Sequence, residues 1–320
     1  MVEIGYSLSS EEHGPAALVR NAVAAEEAGF GFAFISDHFH PWTDRQGESP
    51  FVWSVIGAIA HATDRLRIGT GVTCPTMRIH PAIVAQAAAT SALLLEDRFL
   101  LGVGTGENLN EHVLGARWPS HDERAGMLEE AIEVIRELWR GVLVSHRGEH
   151  FTVDRARLYS VPDEPPPIGV AAAGANAAAL AGRIGDALIA TSPDPDLVER
   201  FEDAGGEGKP RYGQLTVCWA ETEDEAIRTA HEWWPNAALE GDLGQELPLP
   251  RQFKQATSTL TSEQVAETVV CGPDPQRHRD AIAEFEVAGF DHVYVHQVGP
   301  DQDGFLRFYA REILSPAAVR

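Results

Sequence analysis

Eight short apolar runs alternate with helix-like stretches along this chain of 320 residues, and that alternation limits the folds open to it. Several of the runs are apolar on both faces, as expected of parallel strands that are covered by helices. Helical patterns with one apolar face cover residues 16–28, 81–95, 127–138 and 279–287. The predicted strands span residues 3–8, 32–36, 66–73, 99–104, 168–173, 187–191, 214–219 and 292–296.

A weak internal repeat supports the same architecture. Residues 27–30 (EAGF) precede the second run, and residues 287–290 (VAGF) precede the eighth. In both places a helix would end at the glycine and a strand would follow. The sequence therefore predicts an α/β fold, a single (β/α)8 TIM barrel over residues 1–320. The alternative is an open doubly wound sheet, but no predicted strand leads into a G-x-G-x-x-G turn with the expected acid after it.

Two segments do not fit the repeat and are predicted to be insertions. Residues 143–167 contain HRGEHFTV and end in three prolines, which predicts a hairpin and a return loop. Residues 236–261 are polar and proline-rich, and they precede the eighth predicted strand. Long insertions on a barrel are usually lids or binding loops.

The charge balance excludes some classes of partner. The formal net charge is −23, with 48 acidic against 25 basic residues, so neither nucleic acid nor an anionic membrane surface is an expected partner. A high-salt habitat is an alternative source of this acidity. The three cysteines are far apart and form neither a disulfide framework nor a zinc site. We see no signal peptide and no apolar stretch of about 18 residues, so a cytoplasmic protein is expected.

Titratable groups are concentrated at the end of the second predicted strand, which continues as SDHFHPW over residues 36–42. The active sites of such barrels lie at the carboxyl ends of the strands. One interpretation of His38 and His40 is the His-x-His pair of a metal-dependent hydrolase. The fifth and sixth strands end without a ligand, however, and only His296 could join the pair, so we predict no catalytic metal. In the alternative interpretation, His40 faces solvent and His296 is a satisfied core histidine.

Small residues dominate the ends of the third and fifth predicted strands. Gly69 and Gly71 belong to the third, and residues 171–174 (AAAG) end the fifth. Small side chains let backbone N–H groups approach a flat ring and a phosphate. The alternative is that these residues merely fill a tight barrel rim.

Three blocks of sequence together resemble the luciferase-like superfamily. They are SDHFHPW at residues 36–42, GVGTGENLNE at residues 102–111 and AGRIGD at residues 181–186. More narrowly, the chain resembles the deazaflavin-dependent glucose-6-phosphate dehydrogenase family, which uses coenzyme F420. The resemblance runs from the first strand to the C-terminal helix. It implies an F420-dependent oxidoreductase that acts on a CH–OH group of a small-molecule substrate, with FMN as the less favoured cofactor, and a homodimer by analogy.

The resemblance also implies roles for individual residues. Hydride transfer from an alcohol needs a base for the hydroxyl proton and a stabiliser for the developing alkoxide. These roles fall to His38 and to the indole N–H of Trp42, while Glu107 is the acid beside the reduced cofactor and Glu11 is a further active-site acid. A cis peptide bond is expected between Gly71 and Val72. The cofactor contacts implied are Asp37, Gly71, Val72, Gly106, Asn110, Ala172, Ala173 and Gly174.

The chain departs from that family where the substrate phosphate is held. Two lysines of the sugar-phosphate enzymes align with Asp194, after Thr191 and Ser192, and with Glu267. Acidic side chains there would repel a phosphate instead of donating hydrogen bonds to it. With Thr191, Asp194 and Glu267 in the substrate pocket, we predict an unphosphorylated sugar. A secondary alcohol, a sugar 6-phosphate, an FMN-dependent monooxygenase reaction and a cofactor-binding barrel without turnover are the alternatives.

Overall fold

Eight parallel strands close into a barrel in the computed structural model, which describes residues 2–239 and 241–315. Each barrel strand pairs with two neighbours, and β1 joins the last barrel strand, β11, to complete the ring. The strands are β1 (Glu3–Leu8), β2 (Phe32–Ile35), β3 (Arg67–Thr70), β4 (Phe99–Val103), β5 (Val144–Arg147), β6 (Thr152–Ala156), β7 (Ile168–Ala171), β8 (Ala187–Ala190), β9 (Arg211–Cys218), β10 (Val270–Cys271) and β11 (His292–Gln297).

Helices cover the outside of the ring and connect its strands. Single helical turns also occur at His112–Leu114, Glu202–Gly206 and Pro235–Ala238. The helices are α1 (Pro15–Ala28), α2 (Val52–Ala62), α3 (Pro81–Leu95), α4 (Asn108–Glu111), α5 (His121–Trp139), α6 (Ala175–Ile184), α7 (Pro195–Phe201), α8 (Glu223–Trp233), α9 (Leu243–Glu246), α10 (Pro250–Ala256), α11 (Ser262–Ala266), α12 (Pro275–Val287) and α13 (Gln302–Glu312).

The closed ring confirms the predicted (β/α)8 barrel and rules out the open sheet. All eight predicted strands are present, with two notable differences in their bounds. The third strand ends at Thr70, earlier than predicted, and a cis peptide bond joins Gly71 and Val72 directly after it. The seventh begins at Arg211, three residues before the predicted start, because Arg211 and Tyr212 already pair with β8.

The repeated glycines behave as predicted from the repeat. Gly29 follows α1 with φ of 101°, and its N–H donates to the carbonyl groups of Ala25 and Glu26. Gly289 lies just after α12 with φ of 97°. Glycine takes up such left-handed conformations without the penalty that a Cβ imposes, so each helix can end and lead directly into the next strand.

Aromatic rings and aliphatic side chains fill the lower part of the barrel interior. Phe32 and Phe34 of β2 pack against Tyr212 of β9, with ring centroids 5.5 and 5.0 Å from its ring. A Cβ built on Gly5 or Gly69 would lie 2.4 Å from one of these phenylalanine rings, so only glycine leaves room for them. This packed layer closes the barrel below its carboxyl end.

The two predicted insertions carry secondary structure of their own. In residues 143–167, β5 and β6 form the predicted antiparallel hairpin, which Glu130 of α5 holds by accepting bonds from the N–H groups of His150 and Phe151. In residues 236–261 the chain forms the short helices α9 and α10. Within the described ranges, no helix has the length and apolarity that crossing a bilayer requires.

The contact between β3 and β4 leaves no room for a side chain at Gly102. A Cβ built there would lie 1.9 Å from the carbonyl oxygen of Thr70, which is backbone and cannot swing away. We expect Gly102→Ala to lower the free energy of unfolding by about 3 kcal/mol, the upper end of the usual cost of overpacking. Gly57→Ala in α2 is the matched control, because a Cβ there meets nothing within 4 Å and alanine favours the helix. Equal denaturation midpoints for the two variants would contradict this account.

Candidate active site

A cavity of about 660 Å³ lies at the carboxyl ends of the barrel strands. Its wall, meaning the residues that line it, is formed mainly by the segments that follow six of the eight barrel strands, by side chains within β9 and β11, and by part of the insertion before β11. The structure brings most of the sequence-predicted site residues together on this wall. They are Glu11, His38, Trp42, Gly71, Val72, Gly106, Glu107, Ala172, Ala173, Gly174 and Thr191.

His38 and Glu11 form a buried pair on the wall. Nε2 of His38 is 3.2 Å from Oε1 of Glu11, and Oε2 of Glu11 accepts hydrogen bonds from the hydroxyls of Ser36 and Ser9 at 2.5 and 3.1 Å. Burial raises the pKa of Glu11, but His38 and the Ser36 hydroxyl outweigh it, so this pKa lies below its ordinary value. Glu11 is therefore a carboxylate that can stabilise a positive charge on His38.

The other nitrogen of His38 also faces an oxygen. Nδ1 is 3.2 Å from the carbonyl oxygen of His40, so both ring nitrogens have acceptors in reach. A protonated imidazole donates from both nitrogens, and this environment can satisfy both donors at once. Trp42 lies against the ring, with centroids 5.0 Å apart, and packs on Phe253 of α10. The geometry suits a base that takes up a proton beside an indole group.

The two histidines of the His-x-His sequence do not act together. Nδ1 of His40 is 2.9 Å from the carbonyl oxygen of Leu109, and His40 is not on the cavity wall. Among the described residues, no group of three or more His, Cys, Asp and Glu side chains is arranged to hold a metal ion. Of the two histidines, His38 alone lines the cavity.

Asn110 is buried behind the wall and ties two motifs together. Its Oδ1 accepts hydrogen bonds from the N–H groups of Phe39 and His40 at 2.9 and 3.2 Å, and its Nδ2 donates to Oε2 of Glu107 at 3.2 Å. The resemblance implied a cofactor contact for Asn110. Its Oδ1 and one N–H of its amide fix the loop after β2 against the turn that carries Glu107, and the cofactor contact stays a prediction.

Asp37 also lies behind the wall, and its expected contact with the cofactor stays a prediction. Its carboxylate accepts from Nη2 of Arg78 and from the Thr73 hydroxyl, both at 2.8 Å. The backbone N–H of Arg78 donates in turn to Glu111 at 2.7 Å. Burial raises the pKa of Glu111 to about 7, even though Arg78 is close by. Arg78 and Glu111 are supporting residues that we did not assign from the sequence, although Glu111 ends the GVGTGENLNE block.

Asp194 and Glu267 are not on the wall, so our placement of them in the substrate pocket is not supported. Asp194 caps α7, where its carboxylate accepts from the N–H of Asp196 at 2.9 Å. Glu267 is exposed at the end of α11. Asp194 therefore caps the start of α7, which is a common role for an acidic side chain at that position, whereas Glu267 lies at the C-terminal end of α11. Thr191 alone of the three lines the cavity.

One side of the wall is made of backbone and very small side chains. The peptide bond between Gly71 and Val72 is cis, as the resemblance led us to expect. A Cβ built on Gly104 would lie 2.8 Å from Val72 and 3.4 Å from Ala171, so this side is closely packed and smooth. The N-terminus of α6 also opens on the cavity through residues 174–177, and its cap residue, Gly174, makes no side-chain bond to the free N–H groups.

Several wall residues were not identified from the sequence, and they come from distant segments. Asp242 and Gln245 belong to the predicted insertion, and Trp234 precedes it. Gln245 is fixed by Arg124 of α5, whose Nη2 donates to its side-chain oxygen at 3.1 Å. The remaining unassigned polar or aromatic wall residues include His121, Gln214, Tyr294 and His296.

A second buried histidine–glutamate pair lies beside the first. Nε2 of His296 is 2.9 Å from Oε2 of Glu12, and the two side chains are 1% and 0% exposed. The other oxygen of Glu12 accepts from the N–H of Gly299 at 2.9 Å. Nδ1 of His296 is buried and has no hydrogen-bond partner. His296 is therefore not the fully satisfied core histidine of the alternative interpretation.

The wall is acidic as well as polar. Among the described residues that form it there is no lysine or arginine, whereas Glu11, Glu107 and Asp242 are present. The two cations that we considered as replacements for the missing lysines are elsewhere. Lys254 is exposed, and Nη1 of Arg277 is paired with Glu223 at 2.5 Å.

Curated relatives align along nearly the whole chain. The F420-dependent glucose-6-phosphate dehydrogenase of Microbacterium testaceum is 37% identical over 325 residues, which cover 98% of this chain and 96% of that protein. The protein of the same name from Nakamurella multipartita is 36% identical over 324 residues, with coverage of 98% and 96%.

Solved structures share the fold and, in part, the sequence. An F420-dependent secondary alcohol dehydrogenase in complex with an F420–acetone adduct matches with a TM-score of 0.91 and 29% identity, over 98% of both chains. The F420-dependent tetrahydromethanopterin reductase of Methanopyrus kandleri matches with a TM-score of 0.79 and 21% identity over the same shares. The family model for luciferase-like monooxygenases matches residues 1–292, and the chain therefore belongs to the luciferase-like monooxygenase family.

Proposed function

We propose that this protein is an F420-dependent dehydrogenase that oxidises a CH–OH carbon of an unphosphorylated sugar by hydride transfer. One observation carries the proposal: the His38–Glu11 pair and Trp42 share a cavity wall with the smooth backbone surface around Val72. The curated relatives named as F420-dependent dehydrogenases support the cofactor and the class of reaction. In this proposal residues 1–320 form one domain in the cytoplasm, and the protein works as a homodimer by analogy with the superfamily.

The cavity fits a flat ring that carries an anionic tail. Val72, Gly104 and Ala171 leave a closely packed surface on which a ring can lie. The uncapped N-terminus of α6 presents backbone N–H groups and the positive end of a helix dipole, which suit a phosphate. We assign the ring to Val72 and the small residues beside it, and the phosphate to residues 174–177. Bound F420 would supply the acceptor for the hydride.

The protein's own groups would handle the proton and the charge. His38 takes the hydroxyl proton on its ring, and the Glu11 carboxylate stabilises the resulting positive charge. The indole N–H of Trp42 donates a hydrogen bond to the developing alkoxide. Glu107, held in place by Asn110, is the acid that balances charge on the cofactor side of the cavity.

The charge of the wall favours a neutral sugar over a phosphorylated one. A phosphate dianion would meet three carboxylates and no lysine or arginine among the described wall residues, so its oxygens would lack charged donors. A neutral sugar offers hydroxyl groups that can donate to those carboxylates. The relatives named for glucose 6-phosphate favour the phosphorylated sugar instead. The solved secondary alcohol dehydrogenase makes a secondary alcohol the second candidate.

The cofactor assignment predicts selective binding. We expect F420 to bind with a micromolar or lower dissociation constant, and FMN and NADP to bind much more weakly. Trp42 and Trp234 line the cavity, so quenching of tryptophan fluorescence is a direct readout. Calorimetric titration of the same protein with each cofactor is the independent check. Binding of FMN as tight as that of F420 would remove the proposal.

The proton-transfer role of His38 predicts a specific loss of turnover. We expect His38→Ala to reduce kcat by roughly 100-fold or more, the scale of a lost general base, with little change in the dissociation constant of F420. Glu107→Gln should cause a comparable loss. His40→Ala is the matched control, because its side chain is off the wall, and we expect it to lose less than about tenfold. Full activity of His38→Ala on the best substrate would show that another group is the base.

The acidic wall predicts a preference for neutral sugars. We expect kcat/KM to be higher for glucose than for glucose 6-phosphate at both low and high ionic strength, since salt screens only the exposed charges strongly. Asp242→Lys should raise kcat/KM for glucose 6-phosphate, because it adds a cation to the wall. Asp194→Lys, which changes the charge equally but away from the wall, should not. Equal gains from the two variants, or a preference of the wild type for the phosphorylated sugar, would refute the pocket assignment.

A further inference from the structure

We infer that Ser7, Gln214 and Tyr294 form a polar floor of the cavity, and that this floor binds hydroxyl groups of the substrate other than the one that is oxidised. The inference rests on the proposed function, because it concerns the substrate of the same cavity. It makes the three residues specificity-determining and leaves the oxidation itself to His38 and Trp42.

The first step is that the three side chains point into the barrel. Side chains alternate between the two faces of a strand, and the sequence neighbours of Ser7 and of Tyr294 belong to the core between strands and helices. The ring of Tyr294 packs instead on Phe34 inside the barrel, with centroids 4.9 Å apart. Gln214 of β9 is the register partner of Tyr294 in the parallel pair with β11, so it is on the same side.

The second step is that the polar atoms of the floor are open and have no partner. Within the described part of the chain, none of the three side chains forms a hydrogen bond. None of their polar atoms belongs to the fully enclosed ones that lack a partner, so each retains accessible surface. All three residues line the cavity, and the aromatic layer closes the barrel below them. A ligand in the cavity can therefore reach these atoms.

The third step is the chemistry of the floor. The hydroxyls of Ser7 and Tyr294 and the amide of Gln214 can each donate and accept a hydrogen bond. Burial raises the pKa of Tyr294, so its hydroxyl stays protonated and the floor is uncharged. Sugar hydroxyls also donate and accept, and they can satisfy all three groups. A hydrocarbon would leave these groups without partners, which is costly for buried polar atoms.

The fourth step is the position of the floor. Gln214, Tyr294 and Ser7 belong to β9, β11 and β1, which stand across the ring of eight strands from β3, β4 and β7. Those three strands lead into the smooth surface that we assign to the flat ring, so a substrate between the two turns its far side to the floor. Ser7 also precedes Glu11 by four residues, so the floor is deeper in the barrel than the Glu11–His38 pair.

This position distinguishes polyols from simple alcohols. A sugar with one hydroxyl beside His38 has further hydroxyls that can reach the floor. A monohydric alcohol such as 2-propanol has its single hydroxyl at His38 and nothing polar left for the floor. The floor therefore favours sugars and other polyols among the candidate substrates.

Tyr294→Phe removes one hydroxyl of the floor and keeps the ring that packs on Phe34. We expect kcat/KM for glucose to fall about tenfold, the usual worth of one uncharged hydrogen bond, and kcat/KM for 2-propanol to change less than about twofold. Gln214→Leu, which keeps a side chain of similar size, should have the same pattern. Tyr212→Phe is the matched control, because Tyr212 belongs to the same aromatic layer but is off the cavity wall, and it should affect neither substrate.

Deoxy analogues of glucose at ring positions 2, 3 and 4 identify the hydroxyl that is bound. In the wild type, we expect at least one analogue to have a kcat/KM about tenfold below that of glucose. Tyr294→Phe or Gln214→Leu should cost that analogue little more, because the variant and the analogue each remove one side of the same hydrogen bond. If the losses from the variants and from every deoxy analogue simply add, or if 2-propanol loses as much as glucose, the inference is overturned.

Binding of a sugar that cannot be oxidised separates this inference from the proposed function. We expect 1,5-anhydroglucitol to bind the protein in the presence of oxidised F420, and to bind Tyr294→Phe but not Tyr212→Phe about tenfold more weakly, as measured by calorimetry. If no sugar is oxidised but this difference persists, the inference stands and the proposed function fails. If glucose is oxidised but the anhydro sugar does not bind, or binds the wild type and Tyr294→Phe equally, the proposed function stands and the inference is overturned.

Discussion

Two consecutive carboxylates are buried immediately after β1, and the rest of the site depends on how each of them is paired. An unpaired buried carboxylate is costly, whereas one that has hydrogen bonds and a cationic or polar partner is tolerated. Glu11 turns toward His38, after β2, and Glu12 turns toward His296, at the end of β11. Those two strands are the neighbours of β1 in the ring. The turn after β1 is thereby fixed to both neighbours, and two imidazoles are brought to one cavity.

A second layer of buried polar groups supports the opposite part of the wall. Arg78 is shared between Asp37 and Glu111, so the loop after β2 is joined to the segment after β4. Asn110 joins the same two segments through the backbone of Phe39 and through Glu107. Groups that act on a substrate need such support, because a displacement of about 1 Å can cost much of the rate. These residues are thus important to the site although they do not reach the cavity.

The eight strands, and a site at their carboxyl ends, could be predicted from the sequence. Apolar runs that are buried on both faces are typical of a parallel sheet covered by helices. The positions of Asp194 and Glu267 could not be predicted. Asp194, which follows β8, could face the cavity or cap the next helix, and only the path of the backbone decides between the two. Glu267 ends α11, and its sequence neighbours do not show which way that short helix faces. The sequence also did not indicate that Asp242 and Gln245 line the cavity. The insertion that carries them is held there by contacts with α5, which is far away in sequence. Short apolar pieces such as β10, two residues long, carry no periodic signal.

In the proposed function, the cavity must bind the phosphate of the cofactor and disfavour a phosphate on the substrate. The distribution of charge around the cavity can make that distinction. No lysine or arginine is found among the described wall residues, so a cofactor phosphate would depend on backbone N–H groups at the start of α6. Such donors are fixed in place and serve one anion at one position. A phosphate on the substrate would need a second set of donors, and the part of the wall near His38 offers the carboxylate of Glu11 instead. In the proposed function, selectivity for a neutral substrate follows from confining the positive potential to a helix terminus and keeping acids around the reacting hydroxyl.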